Sequence, residues 1–120
     1  MKSILTIIAA IFATVSFADA QNLRCEITTK HYCTADRGCS ATSTPVFNRI
    51  NFNRETYARC DASGCDEYDA VLRSSGIFTL IEVPGKDILA KMSRDGSMFV
   101  EVVTLATDVY VSFGSCSWEE

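Results

Sequence analysis

The chain has 120 residues, 48% of them hydrophobic, with 11 basic and 15 acidic side chains and a formal net charge of −4. That balance disfavours nucleic acid, whose binding surface needs a basic stripe, and disfavours an anionic membrane surface. It permits long-range steering toward a strongly basic protein partner.

In chain order, Lys2 precedes an uncharged apolar run at 4–17, and Ala18-Asp19-Ala20 has the small-x-small pattern of a signal-peptidase site. Residues 1–20 therefore read as a secretory signal peptide, too short and wrongly flanked for a membrane span. Cleavage after Ala20 is expected, leaving one domain at 21–120 that still carries −4, because Lys2 and Asp19 leave together. No cysteine stands at the cleavage point to take a lipid anchor, and no later segment is apolar enough to cross a bilayer. A soluble, exported protein is expected.

All six cysteines, Cys25, Cys33, Cys39, Cys60, Cys65 and Cys116, fall in that domain. An even count in a small exported chain reads as a disulfide framework, and the absence of a C-x-x-C with only one histidine speaks against zinc. Six cysteines allow 15 pairings. The least strained is nested: Cys25–Cys116 as a clasp, Cys60–Cys65 across a tight turn and Cys33–Cys39 within a loop. The clasp is worth up to roughly 4–5 kcal/mol in the chain-entropy picture and a short loop about 2.

The predicted strands are 23–32, 46–52, 55–61, 67–73, 77–83, 88–92, 97–105 and 109–113, with 34–44 read as a long polar loop. Short runs of Val, Ile, Phe, Tyr and Thr broken by turn residues every 8–12 positions are the pattern of a barrel or sandwich. Ile50 and Phe52 share a face, as do Val109, Val111 and Phe113. Asp61-Ala62-Ser63-Gly64, Pro84-Gly85 and Asp95-Gly96 are turn signals, and 106–108 is the weakest break. The expected fold is all-β, a small disulfide-stapled antiparallel barrel of about eight short strands, with a sandwich as second choice. A barrel this small is filled by side chains or holds one small ligand, which disfavours an apolar-ligand carrier.

No catalytic or cofactor signature appears. His31 is the only histidine and has no nucleophile motif beside it. The carboxylates of Cys65-Asp66-Glu67-Tyr68-Asp69 alternate faces in a strand, which suits a solvated turn better than paired acid–base work. No phosphate loop, metal motif or cofactor fingerprint is present, so no enzyme, cofactor or metal is expected. What remains is a rigid acidic scaffold with exposed turns, a design suited to binding another protein. The prominent turn is Arg73-Ser74-Ser75-Gly76, between two apolar runs.

On these residues the chain resembles the c-type lysozyme inhibitors of Gram-negative envelopes, the MliC/PliC family. Cys25 and Cys116 bracket the domain as in that family. Ser75-Gly76 stands for its Ser-Gly-x-x-Tyr loop, Arg94-Asp95-Gly96 for its Lys-Gly turn, and Gly114-Ser115-Cys116 for its closing strand. The missing lipid-anchor cysteine matches the soluble periplasmic PliC form. The departures are specific: the Tyr position falls on Thr79 with Phe78 one residue early, and the Lys position falls on Arg94 with Asp95 inserted. Lys86, after Pro84-Gly85, is a second possible cation. The resemblance implies a periplasmic inhibitor that inserts a loop into the lysozyme cleft, with Ser74, Ser75, Gly76, Ile77, Phe78, Lys86, Arg94 and Asp95 as contacts. The alternative is a non-catalytic envelope assembly protein that pairs, for example as a homodimer, through an exposed strand edge in 97–113.

Overall fold

The computed structural model describes residues 22–42 and 46–119. The expected signal peptide and its cleavage site lie outside the described residues. Ten strands follow in order: β1 (Asn22–Thr34), β2 (Gly38–Thr42), β3 (Phe47–Asn51), β4 (Thr56–Asp61) and β5 (Gly64–Asp69), then β6 (Val71–Ser75), β7 (Phe78–Val83), β8 (Ile88–Ser93), β9 (Phe99–Leu105) and β10 (Asp108–Trp118). They form one antiparallel, nearly closed barrel-like sheet in the order β5-β4-β3-β1-β10-β9-β8-β7-β6, with β2 pairing β1 off this path. The all-β barrel class is as expected. No helix among the described residues is long and apolar enough to cross a membrane.

Two strands beyond the expected eight have separate causes. β2, Gly38-Cys39-Ser40-Ala41-Thr42, contains no large apolar side chain and none of its residues is buried, so β propensity does not announce it. It forms because Gly38, at φ 71°, reverses the chain after Ala35-Asp36-Arg37 and because Cys39 sits opposite its disulfide partner Cys33. The predicted strand 67–73 is instead divided at Ala70. That residue is buried and its N–H donates to Glu55 O at 2.9 Å, so β5 pairs with β4 while β6 pairs with β7.

Strand β1 holds the barrel together. Its first half, Asn22–Glu26, pairs with β3 and its last five residues pair with β2, while its other edge runs along β10. The β1/β10 register shifts between Ile27 and Thr29, and there the backbones approach so closely that a Cβ on Gly114 would lie 1.9 Å from Glu26 O. Only glycine fits. All three disulfides join residues directly opposite in the ladders, Cys25–Cys116, Cys33–Cys39 and Cys60–Cys65, the nested pairing the spacing favoured.

The core is built by period-two alternation: Ile88, Ala90 and Met92 from β8, Ile81 and Val83 from β7, and Phe99 and Val103 from β9 meet Leu23, Ile50 and Tyr57. In β10 the shared face of Val109, Val111 and Phe113 is the outer one. Ser112 is buried and Tyr110 packs against the core, so Val109, Val111 and Phe113 form the outer row, with Phe113 47% exposed. The strand-edge alternative also changes. β9 lies between β8 and β10, and β10 lies between β9 and β1, so 97–113 offers no free edge; the path ends instead at β5 and β6.

Candidate functional site

The β6–β7 hairpin carries the serine–glycine tip. Ser75 faces Phe78 as the last ladder pair, leaving Gly76 and Ile77 as a two-residue turn. Gly76 adopts φ 60°, at the first central position, where hairpin geometry selects glycine. A Cβ there would touch nothing within 4 Å, so the requirement is conformational and not steric. Ser74, Ser75, Gly76 and Ile77 are exposed, Ile77 at 66%.

The β8–β9 turn is welded beside this tip. Arg94 N–H donates to Ile77 O at 3.0 Å, next to the Phe78/Ser93 ladder pair. Asp95 organises the turn: its Oδ1 accepts from Ser97 Oγ at 2.7 Å, Ser97 N at 3.0 Å and Ser93 Oγ at 2.7 Å. The Ser97 hydroxyl first, then the Ser97 amide and the Ser93 hydroxyl, stabilise its charged form and hold its pKa down at about 2. Gly96, at φ 77°, docks the turn on the clasp: Cys116 N donates to Gly96 O at 2.7 Å, and a Cβ on Gly96 would lie 2.6 Å from Cys116 O.

The expected site residues therefore divide. Ser74, Ser75, Gly76, Ile77, Phe78 and Arg94 come together at one end of the barrel. Asp95 lies there too, but its carboxylate is committed to its own turn. Lys86 does not join them: it sits in the turn after β7, a whole strand from Phe78, with its ammonium 5.7 Å from the Tyr68 ring centroid. Arg94 is exposed and makes no ion pair among the described residues. Lys91, which sequence reasoning passed over, places its ammonium 4.3 Å from the Phe78 ring centroid; its outward position in an alternating strand was the available signal. Under the turn runs a groove of about 500 Å³ that Arg94 shares with Phe52 and Trp118, whose rings are 5.8 Å apart.

A second polar arrangement lies inside the barrel, and nothing in the site reading anticipated it. Glu101, 1% exposed, occupies an inward position of β9 between Phe99 and Val103. Its Oε2 accepts from the Tyr57 hydroxyl, from Asn48 Nδ2 at 3.2 Å and from Arg59 Nε at 3.2 Å, and Asn48 Nδ2 also donates to the Tyr57 oxygen at 2.8 Å. Burial, then the Glu101 charge, push the Tyr57 phenol well above its ordinary range. The sequence signal was a carboxylate in the middle of Phe99-Val100-Glu101-Val102-Val103.

His31 lies mid-β1 between β10 and β2, and the carboxylates Asp66, Glu67 and Asp69 are all exposed on β5. No protein-family model, curated protein or solved structure matches this chain.

Proposed function

We propose that this protein is a periplasmic inhibitor of c-type lysozyme, which it blocks by inserting the Ser75–Gly76 tip into the enzyme's cleft. The observation that carries the reading is the main-chain bond between Ile77 O and Arg94 N. It ties the turn that carries Arg94, whose guanidinium makes no ion pair among the described residues, to the hairpin whose tip exposes Ser75. A lysozyme cleft presents a carboxylic acid and a carboxylate a few ångströms apart. A serine hydroxyl can accept from the acid and donate to the carboxylate, and a guanidinium can pair with the ionised one. Gly76 keeps the tip narrow, Ile77 adds an apolar contact, and the groove beside Trp118 offers room for a side chain of the enzyme. The net charge of −4 would speed encounter with a basic enzyme. The three disulfides suit an oxidising compartment.

The test is lysis of a peptidoglycan suspension by a c-type lysozyme, followed as turbidity against increasing amounts of the oxidised protein. Stoichiometric, salt-sensitive protection is expected. The double variant Ser75→Ala/Arg94→Ala should lose about 2–5 kcal/mol of binding, the usual consequence of truncating a buried charged contact. Full lysis at large molar excess of the native protein would overturn the reading. Native-like inhibition by the double variant would overturn the tip assignment.

A further inference from the structure

The other end of the barrel, where β9 turns into β10, opens on a cavity of about 470 Å³ with a role in neither the tip nor its support. That volume lies within the roughly 300–1,000 Å³ of small-molecule sites. Glu101 lines it from within, and one of its oxygens takes all three bonds from Tyr57, Asn48 and Arg59.

Two cations share the wall with that single buried anion. Arg59 reaches Glu101 through Nε alone, and its two terminal nitrogens bond to no other described residue. The Lys30 ammonium makes no hydrogen bond or ion pair among the described residues and stands 5.3 Å from the Tyr110 ring centroid. Burial first, and then the Arg59 charge, lower the Lys30 pKa, as for two like charges held close in a partly dry site. An independent sign comes from Thr42. Its Oγ1 is buried in the same wall and has no hydrogen-bond partner among the described residues, and such an orphaned group calls for one.

In the partly buried part of the wall Lys30 and Arg59 face Glu101 alone. Asp61 and Asp66 also line the cavity, Asp66 opposite Arg59 in the β4/β5 ladder, but both are exposed, where water and salt screen them. We propose that this cavity binds a small organic monoanion, a carboxylate on an apolar body, held by Arg59, Lys30 and Thr42. The free fork of the guanidinium matches a carboxylate in planar, two-bond fashion. Lys30 adds a second charge-assisted bond, and the Thr42 hydroxyl gains an acceptor. Tyr110, Val103 and Leu105 provide the apolar wall for the rest of the ligand. A dianion fits less well, because its second charge would face Glu101 without a matching cation.

The experiment is a titration of the oxidised protein, followed by amide resonances at constant ionic strength, with benzoate, its uncharged analogue benzamide, and inorganic phosphate. Benzoate should give saturable shifts centred on Lys30, Thr42 and Arg59, benzamide none, and phosphate weaker ones. Lys30→Met and Thr42→Val keep the Arg59–Glu101 contact and should each raise the benzoate Kd, the first by about tenfold, equivalent to about 1.4 kcal/mol. No saturable shift with benzoate, equal shifts with benzamide, or an unchanged Kd in Lys30→Met would overturn the site. Phosphate binding as tightly as benzoate would overturn the monocarboxylate assignment. The lysozyme assay reads the opposite end of the barrel, so either proposal can fail without the other.

Discussion

The two ends of the barrel are polar in opposite ways. At the tip end, main-chain bonds do most of the holding, Arg94 N to Ile77 O, Cys116 N to Gly96 O and Gly96 N to Ser93 O, helped by the exposed Asp95 carboxylate within its own turn. The side chains of Ser75, Ile77 and Arg94 are left pointing at solvent. At the Glu101 end, side chains do the holding, and Tyr57, Asn48 and Arg59 converge on one buried carboxylate oxygen. The difference teaches where function and stability can be separated. A surface made of side chains on a backbone-bonded turn can be rewritten with little effect on folding, whereas an interior network cannot lose a member without orphaning the rest.

The largest expected effect lies at the interior end. Glu101→Leu leaves the Tyr57 hydroxyl, Asn48 and Arg59 without their shared acceptor, and should cost about 3–5 kcal/mol in denaturant unfolding. A midpoint within error of the native protein would break the contrast. Next is the clasp: converting Cys25 and Cys116 to alanine should cost about 2–5 kcal/mol, and the loss should be visible as looser amide protection at the tip end, where Cys116 anchors Gly96.

Smaller effects are expected at the tip itself. Gly76→Val forces a β-branched residue to φ 60° and should cost about 1–2 kcal/mol although it meets no neighbouring atom. Ser75→Ala should leave stability within about 0.5 kcal/mol of native while lysozyme protection falls. A parallel fall in melting temperature and inhibition across these two variants would show that the ends do not differ in kind.

The smallest effect is a pH dependence confined to the Asp95 turn. Its folded pKa, about 2, lies below the 3.8 of an ordinary aspartate. The ionised carboxylate therefore supports the fold fully above about pH 4, and that support fades as pH falls toward 2. The melting temperature of Asp95→Asn should sit below native at pH 5 and converge with it near pH 2. A gap that stays constant across that range would remove Asp95 from the turn's electrostatics.

Much of this architecture is legible in local chemistry. The runs of Val, Ile, Tyr and Phe announce strands. Asp95-Gly96 and Ser75-Gly76 announce hairpins because few other residues tolerate positive φ. The close spacings Cys33/Cys39 and Cys60/Cys65 suit cross-strand staples. Four features were not legible. β2 has no apolar pattern, since a disulfide and a backbone ladder hold it. Ala70 interrupts an apparently continuous strand because its amide bonds to Glu55, a partner fifteen positions away. Lys86 and Arg94 look equivalent as turn cations, yet only the strand order puts Arg94 beside Ile77 at the hairpin tip and Lys86 at the far end of β7. Val109, Val111 and Phe113 alternate as a core row would, yet face out.

Taken alone, the sequence determined that this chain makes short strands with tight glycine turns and paired cysteines, because those properties are set by each residue and its immediate neighbours. Alternation, however, specifies a period of two and not which of the two faces is inside. That choice is made by register against strands distant in sequence. It placed Glu101 inward with Tyr57, Asn48 and Arg59, and the apolar row of β10 outward. Only the tertiary structure could decide it, because a shift of one residue exchanges every inner side chain for an outer one.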